Sequence, residues 1–442
     1  MPYSRPSQPE PHMISRRSFL HKTGLAVAAT IAFPTIIPSR VLGKDGAISP
    51  SNRIVIGAVG MGQGHFNMTR MLPFKDVQVV SICDVDDKQA AKGKQTVDNH
   101  YQNTDARTYR DFRDMFAKDN LDAVILAAPD HWHGIMSVAA ARAGLDIFGE
   151  KPLAHTLREG RAICNAVRQH GRIWQTGSWQ RSVPNFRQAV ELVRNGRLGK
   201  ITNIEVGTFG NFNGNAIKPP EAPKLDRIPR ELNYNLWLGP APWRDYDSRI
   251  VHYNWRWNLD FGGGNLMDWV GHHVDIAHWA MDLDHTGPVK VSGSGEYGIV
   301  TPWNAETKYR YACTYQDGLT ITVSSDFKGG TKFYGERGWI HVDRGVLEAS
   351  DPAILRETPN SGELFVYRSD DHWRNFIDCI KDRRNTISPC EAAHRSASVG
   401  HLGHIAILTG RTIRWNPRTE TILDDPGATA LLEPAFRSPW VL

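Results

Sequence analysis

Three side chains that exchange protons lie close together in GGGNLMDWVGHHVDIAHWAMD, residues 262–282. Asp268, His272 and Asp275 are spaced i, i+4 and i+7, which predicts that they share one face of a helix. A histidine that titrates near neutrality can take a proton, while a carboxylate orients its ring and stabilises its charged form. The spacing therefore favours an acid–base pair in which Asp268 holds the ring of His272.

Two other interpretations of this segment stay open at the level of the residues. In the first, Asp268 stabilises the start of the helix and the histidines pack in a core. In the second, the segment contributes to a metal site, which would need further ligands from elsewhere. DHWH, residues 130–133, contains two more histidines. We assign no metal ligand and keep the acid–base interpretation.

A single lysine stands in GEKPLAH, residues 149–155, at the predicted end of a strand. Pro152 removes the next backbone donor, and Lys151–Pro152 is a candidate cis bond. At the carboxyl edge of a parallel sheet, Lys151 would lie where ligands bind in such folds. An ammonium group fixed there can stabilise negative charge that develops on a substrate oxygen.

A glycine-rich turn, GAVGMGQGH at residues 57–65, follows an apolar run and opens a helical pattern. Such a turn lets backbone N–H groups approach a pyrophosphate at the helix N-terminus. His65 stands where a strict GxGxxG pattern needs its third glycine, which comes one residue early. Asp84 ends a second predicted strand, where a carboxylate accepts from a ribose 2′-OH and repels a 2′-phosphate. NAD is therefore favoured over NADP. The predicted turn consists of Gly60, Met61, Gly62 and Gly64.

The pattern of apolar and polar residues changes along the chain and divides it into two regions. Strands alternate with helices up to about residue 178, which predicts βαβ units and a parallel sheet. YRDFRDMFAKD, residues 109–119, reads as one of those helices. Later segments alternate apolar and polar residues, as antiparallel strands with one solvated face do. We therefore expect a domain over 50–178 and another over 179–442. Further helices are predicted near 265–281, 371–383 and 390–410.

The composition describes a globular chain of 442 residues, 40% hydrophobic and 22% charged. No run of 18 residues is continuously apolar, so no membrane span is predicted. The chain has 52 basic and 47 acidic side chains. Five of the basic and one of the acidic side chains lie in residues 1–43, so the remainder of the chain has a net charge of +1. The sequence has no stripe of basic residues interleaved with aromatic ones, so no nucleic-acid partner is predicted. Five scattered cysteines without a CxxC pair are interpreted as buried thiols.

The amino-terminal segment has the features of an export signal. SRRSFL, residues 15–20, is followed by the mildly apolar TGLAVAATIAFPTIIP. Paired arginines, Phe-Leu and an apolar stretch in this order are typical of a twin-arginine signal. We predict a signal over residues 1–43, with cleavage near Gly43, and a periplasmic location.

Together these motifs resemble the Gfo/Idh/MocA oxidoreductases. PDHWHG, AGLDIFGEKPLAHTLREGR, QTGSWQRS, LWLGPAPWR and HRSASVGHLGHIAI resemble an exported, twin-arginine branch of that family, over nearly all of the chain after the leader. The resemblance implies an α/β fold: an N-terminal Rossmann NAD(P)-binding domain and a C-terminal α/β domain with a large, mostly antiparallel open sheet. The ligand would lie between the two domains.

The resemblance also implies roles for individual residues. The catalytic roles of the family map onto Lys151, Asp268 and His272. The cofactor would be contacted by the glycine turn and by Asp84, Pro129, His133, Glu150 and Lys151. The substrate would be contacted by His131, Trp179, Arg181 and His273. Asp130 departs from the asparagine that is more usual in the family.

The implied chemistry is hydride transfer between tightly bound NAD and a carbinol of a sugar, cyclitol or glycoside. His272 would take the hydroxyl proton, and Lys151 would stabilise the oxygen. One alternative is an NAD-dependent glycoside hydrolase that acts by transient C3 oxidation and elimination. A second is a non-catalytic sugar-binding protein. The resemblance further implies a small-molecule carbohydrate substrate and a homo-oligomer, dimer or tetramer.

Overall fold

The computed structural model describes residues 48–210, 227–297, 302–356, 362–433 and 436–442. The predicted signal over residues 1–43 lies outside the described residues, as does part of the second half of the chain. Residues Arg53–Leu442 form one compact unit, to which everything below belongs. Within the described ranges, none of the helices has the length and apolar character needed to cross a membrane.

The first half of this unit is built on a parallel sheet. In the described residues it has six strands in the order β3-β2-β1-β4-β5-β6, and every pairing is parallel. The strands are β1 (Ile54–Val59), β2 (Val77–Cys83), β3 (Arg107–Tyr109), β4 (Ala123–Leu126), β5 (Asp146–Gly149) and β6 (Trp174–Thr176). The helices are α1 (Gln63–Met71), α2 (Asp87–Tyr101), α3 (Phe112–Lys118), α4 (His133–Arg142) and α5 (Leu157–Gln169). The predicted Rossmann architecture is confirmed, with its strand order reversing between β1 and β4.

One predicted helix begins too early. Tyr109 belongs to β3, where it pairs with Cys83, and α3 starts only at Phe112. The side chain of Asp111 accepts a hydrogen bond from the backbone N–H of Arg113, which fixes the start of α3. The cap and the strand pairing together override the helical pattern at residues 109–111.

The second half is built on a mixed sheet. In the described residues it has nine strands in the order β13-β12-β11-β7-β10-β9-β8-β14-β15, and only β7 and β10 pair in parallel. The prediction of a mostly antiparallel sheet is confirmed. The strands are β7 (Ile201–Gly207), β8 (Lys290–Tyr297), β9 (Glu306–Thr314), β10 (Thr320–Ser324), β11 (Gly330–Gly335), β12 (Gly338–Asp343), β13 (Val346–Ala349), β14 (Ile413–Asn416) and β15 (Thr421–Ile422).

The remaining helices surround the two sheets. They are α6 (Pro184–Arg194), α7 (Tyr234–Leu238), α8 (Gly264–Trp269), α9 (Asp275–Met281), α10 (Pro352–Arg356), α11 (His372–Asp382), α12 (Cys390–Thr409) and α13 (Pro426–Thr429). The helix predicted over 265–281 is interrupted, because Val270–Val274 forms a π-helical turn between α8 and α9. There the backbone N–H of Asp275 reaches the carbonyl of Val270, five residues back.

Helix α11, late in the sequence, packs with the first sheet. Its Phe376, Ile377 and Ile380 share a buried cluster with Ile56 of β1 and Phe148 of β5. The rings of Phe148 and Phe376 meet edge to face at 5.7 Å. The core of the parallel sheet is therefore completed by residues more than 200 positions later in the chain.

A buried carboxyl group lies at the start of α5. Thr156 caps this helix: its hydroxyl accepts from the Glu159 N–H and donates to Glu159 Oε2 at 2.8 Å. Burial raises the pKa of Glu159 to about 8 from an ordinary value of 4.5. The folded chain therefore holds a proton that the unfolded chain has released at neutral pH.

This proton makes stability depend on pH in a defined direction. The contribution of Glu159 is complete below pH 4.5 and is lost as the pH rises through about 8. We expect Glu159→Gln, which cannot titrate, to gain in free energy of unfolding relative to wild type between pH 6 and pH 8. The gain is at most about 1.4 kcal/mol per pH unit. Urea unfolding of both proteins at the two pH values tests this, and a pH-independent difference would contradict it.

Candidate active site

A cavity of ≈ 510 Å³ lies at the carboxyl edge of the parallel sheet. Its walls combine residues after β1, β2, β4 and β5 with residues of α8 and the π-helical turn. Ligands bind at this edge in doubly wound folds, where the strand order reverses. Both halves of the unit thus contribute side chains to one cavity.

The glycine turn forms one end of the cavity. Gly60 has φ +80, and a Cβ there would lie 2.5 Å from the carbonyl oxygen of Ala127, so only glycine fits. Gly60, Met61 and Gly62, which were predicted to contact the cofactor, line the cavity. Gly64 does not: it is buried as the second residue of α1. The early third glycine therefore packs α1 against the sheet.

Asp84 joins this turn to the second strand. Its Oδ2 accepts from the N–H of Met61 at 2.7 Å, and its Oδ1 accepts from the N–H of Asp86 at 2.9 Å. Burial raises the pKa of Asp84, against the effect of these two hydrogen bonds. The carboxyl group lines the cavity, where the sequence predicted a ribose contact.

Lys151 and Asp268 form an ion pair inside the cavity. Lys151 Nζ lies 2.6 Å from Asp268 Oδ1 and also donates to the Asp268 carbonyl at 3.2 Å. The Lys151–Pro152 bond is cis. A Cβ on Gly271 would lie 2.9 Å from Lys151 Cβ, so this glycine permits the close approach of the π-helical turn. Burial alone would raise the pKa of Asp268, but Lys151, Arg256 and Arg344 hold it below its usual range.

The predicted pairing of Asp268 with His272 is wrong in this structure. Asp268 binds Lys151, and His272 Nδ1 has no hydrogen-bond partner in the described part of the chain. Burial, followed by the charge of Lys151, lowers the pKa of His272 well below 6.5. The ring is therefore neutral at neutral pH, rather than titrating there as the sequence suggested. It borders the cavity beside Trp179, at 6.3 Å between ring centroids.

Asp275 has a structural role. Arg181 donates to it at 2.7 and 2.8 Å and also contacts Asp284 at 2.8 Å. Arg181 is buried and does not line the cavity, so its predicted substrate contact is not supported. The π-helical turn explains the difference, because an extra residue in the turn rotates Asp275 away from the face of Asp268.

Of the other histidines predicted to contact a ligand, only some line the cavity. His131 and His273 are buried outside the cavity lining, where ring nitrogens lie 3.0 Å from the Trp237 carbonyl and 2.7 Å from the Gly207 carbonyl. These contacts hold loops together and do not support the predicted substrate roles. His133 lines the cavity, but both ring nitrogens face carbonyl oxygens at 2.8 Å. Pro129 and Glu150, predicted to contact the cofactor, and Trp179, predicted to contact the substrate, also line the cavity.

Comparison with known proteins gives the family. The description "Oxidoreductase family, NAD-binding Rossmann fold" matches residues 52–178, and "Oxidoreductase family, C-terminal alpha/beta domain" matches residues 183–442. The chain belongs to the Gfo/Idh/MocA oxidoreductase family. The predicted resemblance to this family is confirmed, and membership of an exported branch stays a prediction.

The curated relatives of this Gfo/Idh/MocA protein include proteins named as dehydrogenases and proteins named as glycosyl hydrolases. An inositol 2-dehydrogenase of Salmonella typhimurium is 28% identical over 185 residues, 41% of this chain and 53% of the relative. A glycosyl hydrolase family 109 protein of Parabacteroides distasonis is 30% identical over 286 residues, 59% of this chain and 58% of the relative. The match thus spans little more than half the length of these relatives.

A solved structure shares the fold. The WlbA dehydrogenase from Bordetella pertussis, crystallised in complex with NADH and UDP-GlcNAcA, superposes with a TM-score of 0.61. The superposition covers 83% of this chain and 98% of that one, at 18% sequence identity. The arrangement of a Rossmann half and an α/β half is therefore common to both proteins.

The side chains present fit a nicotinamide dinucleotide. The glycine turn and the N-terminus of α1 line the cavity at one end, where a pyrophosphate would find backbone donors and a favourable helix dipole. His272 also lines the cavity, and its buried Nδ1 has no hydrogen-bond partner in the described part of the chain. Across the described residues, no cluster of three or more His, Cys, Asp or Glu side chains has the arrangement of a metal site.

Several cavity residues escaped the sequence analysis. Arg256 lies in a Trp-rich loop, Arg344 in the turn between β12 and β13, and Trp373 at the start of α11. No spacing or motif marks these positions, because each reaches the cavity only through tertiary packing.

The ion pair predicts a double-mutant result. Lys151→Met leaves the Asp268 carboxylate without its partner, so we expect a loss of about 1–3 kcal/mol in free energy of unfolding. Adding Asp268→Asn removes the unpaired charge and should recover most of that loss. Urea unfolding of wild type, both single variants and the double variant measures the coupling. Additive single effects would contradict the ion pair.

Proposed function

We propose that the protein is an NAD(P)-dependent oxidoreductase that acts on a carbinol of a sugar, cyclitol or glycoside. The observation that carries this proposal is the meeting of Lys151, Asp268 and His272 in the cavity that the glycine turn also lines. Family membership and the printed activity of the inositol 2-dehydrogenase relative support it.

A bound nicotinamide would supply the acceptor or donor of the hydride. Side chains of the protein accept the hydroxyl proton of the substrate and stabilise the charge on its oxygen. Neutral His272, which lines the cavity, accepts the hydroxyl proton on its ring. The Lys151 ammonium stabilises the negative charge that builds on the same oxygen. Asp268 fixes the ammonium at 2.6 Å, so that little reorganisation is needed during the reaction.

The proposal includes export by the twin-arginine route and a cofactor that stays bound. SRRSFL and the apolar stretch after it support export. Because free NAD is scarce outside the cytoplasm, an exported enzyme would work best with a cofactor regenerated in place. Assembly as a dimer or tetramer is proposed on family resemblance alone.

Glycoside hydrolysis without net redox change is the second candidate. The relative from Parabacteroides distasonis, named as a glycosyl hydrolase family 109 protein, favours it because its match covers more of the chain than that of the dehydrogenase. The same lysine, aspartate and histidine could serve both reactions, so the site geometry does not separate them.

One experiment separates these candidates. The cofactor released from purified protein is identified by mass spectrometry, and the protein is incubated with nitrophenyl glycosides and free sugars. Accumulation of a keto sugar supports the oxidoreductase, whereas aglycone release without keto sugar or NADH supports the hydrolase. We expect Lys151→Met to lower either rate by roughly 10²- to 10³-fold. A protein without nicotinamide absorbance or NAD affinity would instead be a non-catalytic sugar-binding protein.

Asp84 supports a preference for NAD over NADP. A carboxylate there would repel the 2′-phosphate of NADP. Asp84→Ser keeps an acceptor for the Met61 N–H while it removes the acid, so the ratio of the NADPH to NADH dissociation constants should fall by about tenfold, roughly 1.4 kcal/mol. Asp114→Ser, on the exposed side of α3, is the matched control. An unchanged ratio in Asp84→Ser would remove the basis for the preference.

A further inference from the structure

Arg344 enters the cavity from the turn between β12 and β13. Its guanidinium carbon lies 4.7 Å from the ring centroid of Trp179 and 4.8 Å from that of Trp269. A planar guanidinium between two indoles is held by cation–π and stacking interactions that leave its edge donors available.

Those donors have no acceptor within the described ranges. No hydrogen bond from the Arg344 side chain, and no carboxylate within 4.0 Å of it, is found there. The one bond that Arg344 makes to a carboxylate comes from its backbone N–H, which donates to Asp343 Oδ1 at 2.7 Å. Arg344 is exposed overall; the burial of part of its side chain lowers the pKa of Arg344, and the carboxylates of Asp343 and Asp268 act in the opposite direction.

The surroundings of Arg344 carry few available negative charges. Arg256 also lines the cavity, stacked on Tyr253 at 4.4 Å and Trp255 at 4.5 Å. Asp268 is already bound to Lys151, and burial raises the pKa of Asp130 well above its usual range, which favours its neutral form. Lys151, Arg256 and Arg344 therefore all line the cavity, and the carboxylates whose charge reaches Arg344 are those of Asp343 and Asp268.

The position of Arg344 relates it to the reacting group. Trp179 and Trp269 also border His272, at 6.3 and 5.7 Å between ring centroids. The two indoles thus contact both the guanidinium and the ring of the proposed proton acceptor. This proximity to His272 fits a group on the substrate, whereas the glycine turn suits the cofactor pyrophosphate.

We infer that this site takes an anionic sugar, and that Arg344 binds the carboxylate or phosphate of the substrate with its free edge donors. A guanidinium fork matches either anion in a bidentate arrangement. The anionic group would fix the sugar so that one carbinol lies at His272 and Lys151. This inference rests on the proposed function for the identity of the ligand as a sugar.

Binding of matched probes tests the inference without requiring turnover. The probes are glucose, glucuronate and glucose 6-phosphate, with the corresponding galacto series, titrated calorimetrically into the full-length protein as purified. We expect an anionic probe to bind roughly 10- to 100-fold more tightly than the neutral sugar of the same configuration. Tighter binding of the uronate identifies a carboxylate subsite, and tighter binding of the 6-phosphate identifies a phosphate subsite.

Two variants and a control assign the effect to Arg344. Arg344→Gln should remove the preference for the anion, while Arg344→Lys should retain part of it as a point charge. Arg310→Gln is the control, because Arg310 stacks on Phe327 at 4.8 Å outside the cavity lining. The inference is overturned if no anionic probe exceeds its neutral partner, or if Arg344→Gln weakens both classes equally.

The enzymatic assignment and the anion subsite can be contradicted independently of each other. Anion-selective binding with neither keto sugar nor aglycone release would uphold the subsite and remove the enzymatic assignment. Turnover of neutral sugars in preference to anionic ones would uphold the enzyme and remove the subsite.

Discussion

The ion pair between Lys151 and Asp268 is the interaction on which the rest of the site depends. It joins the end of β5 to α8 at 2.6 Å, so it links the parallel sheet to a helix that lies between strands β7 and β8 of the mixed sheet in the chain. A buried charge is tolerated only when it is paired, and neither residue has another partner of comparable geometry in the described chain. The approach needs Gly271, because any side chain there would meet Lys151.

The π-helical turn Val270–Val274 determines the directions in which His272 and Asp275 point relative to this ion pair. It lets His272 line the cavity while Asp275 turns towards Arg181. The buried contacts of Arg181 with Asp275 and Asp284 then hold α9 in place behind the site. Such turns occur frequently at functional sites, where one inserted residue changes the phase of a helix. One short segment thus separates a carboxylate with a structural role, Asp275, from the one proposed to act in catalysis, Asp268.

Two sets of polar groups line the cavity. At the glycine turn, backbone donors and Asp84 suit a dinucleotide. Lys151, Arg256 and Arg344 line the same cavity as His272, whose ring is neutral. A neutral imidazole beside fixed cations can accept a proton from a hydroxyl group whose oxygen gains negative charge. The same cations favour a substrate that brings its own negative charge.

The sequence by itself determined the fold and most of the cofactor end. Hydrophobic periodicity separated a parallel from an antiparallel sheet, and the glycine turn, Asp84 and Lys151 are local signals with a physical reason for their type and place. Tertiary structure decided what the sequence left open. The phase of the helix around Asp268, His272 and Asp275 depends on a π-helical turn that packing imposes and spacing does not reveal. The family resemblance assigned His131, Arg181 and His273 to the substrate, yet in the folded chain these side chains are buried outside the cavity lining and bind backbone carbonyls or carboxylates. Arg344 became a cavity residue only because two tryptophans from distant segments enclose it, and no local pattern encodes that contact.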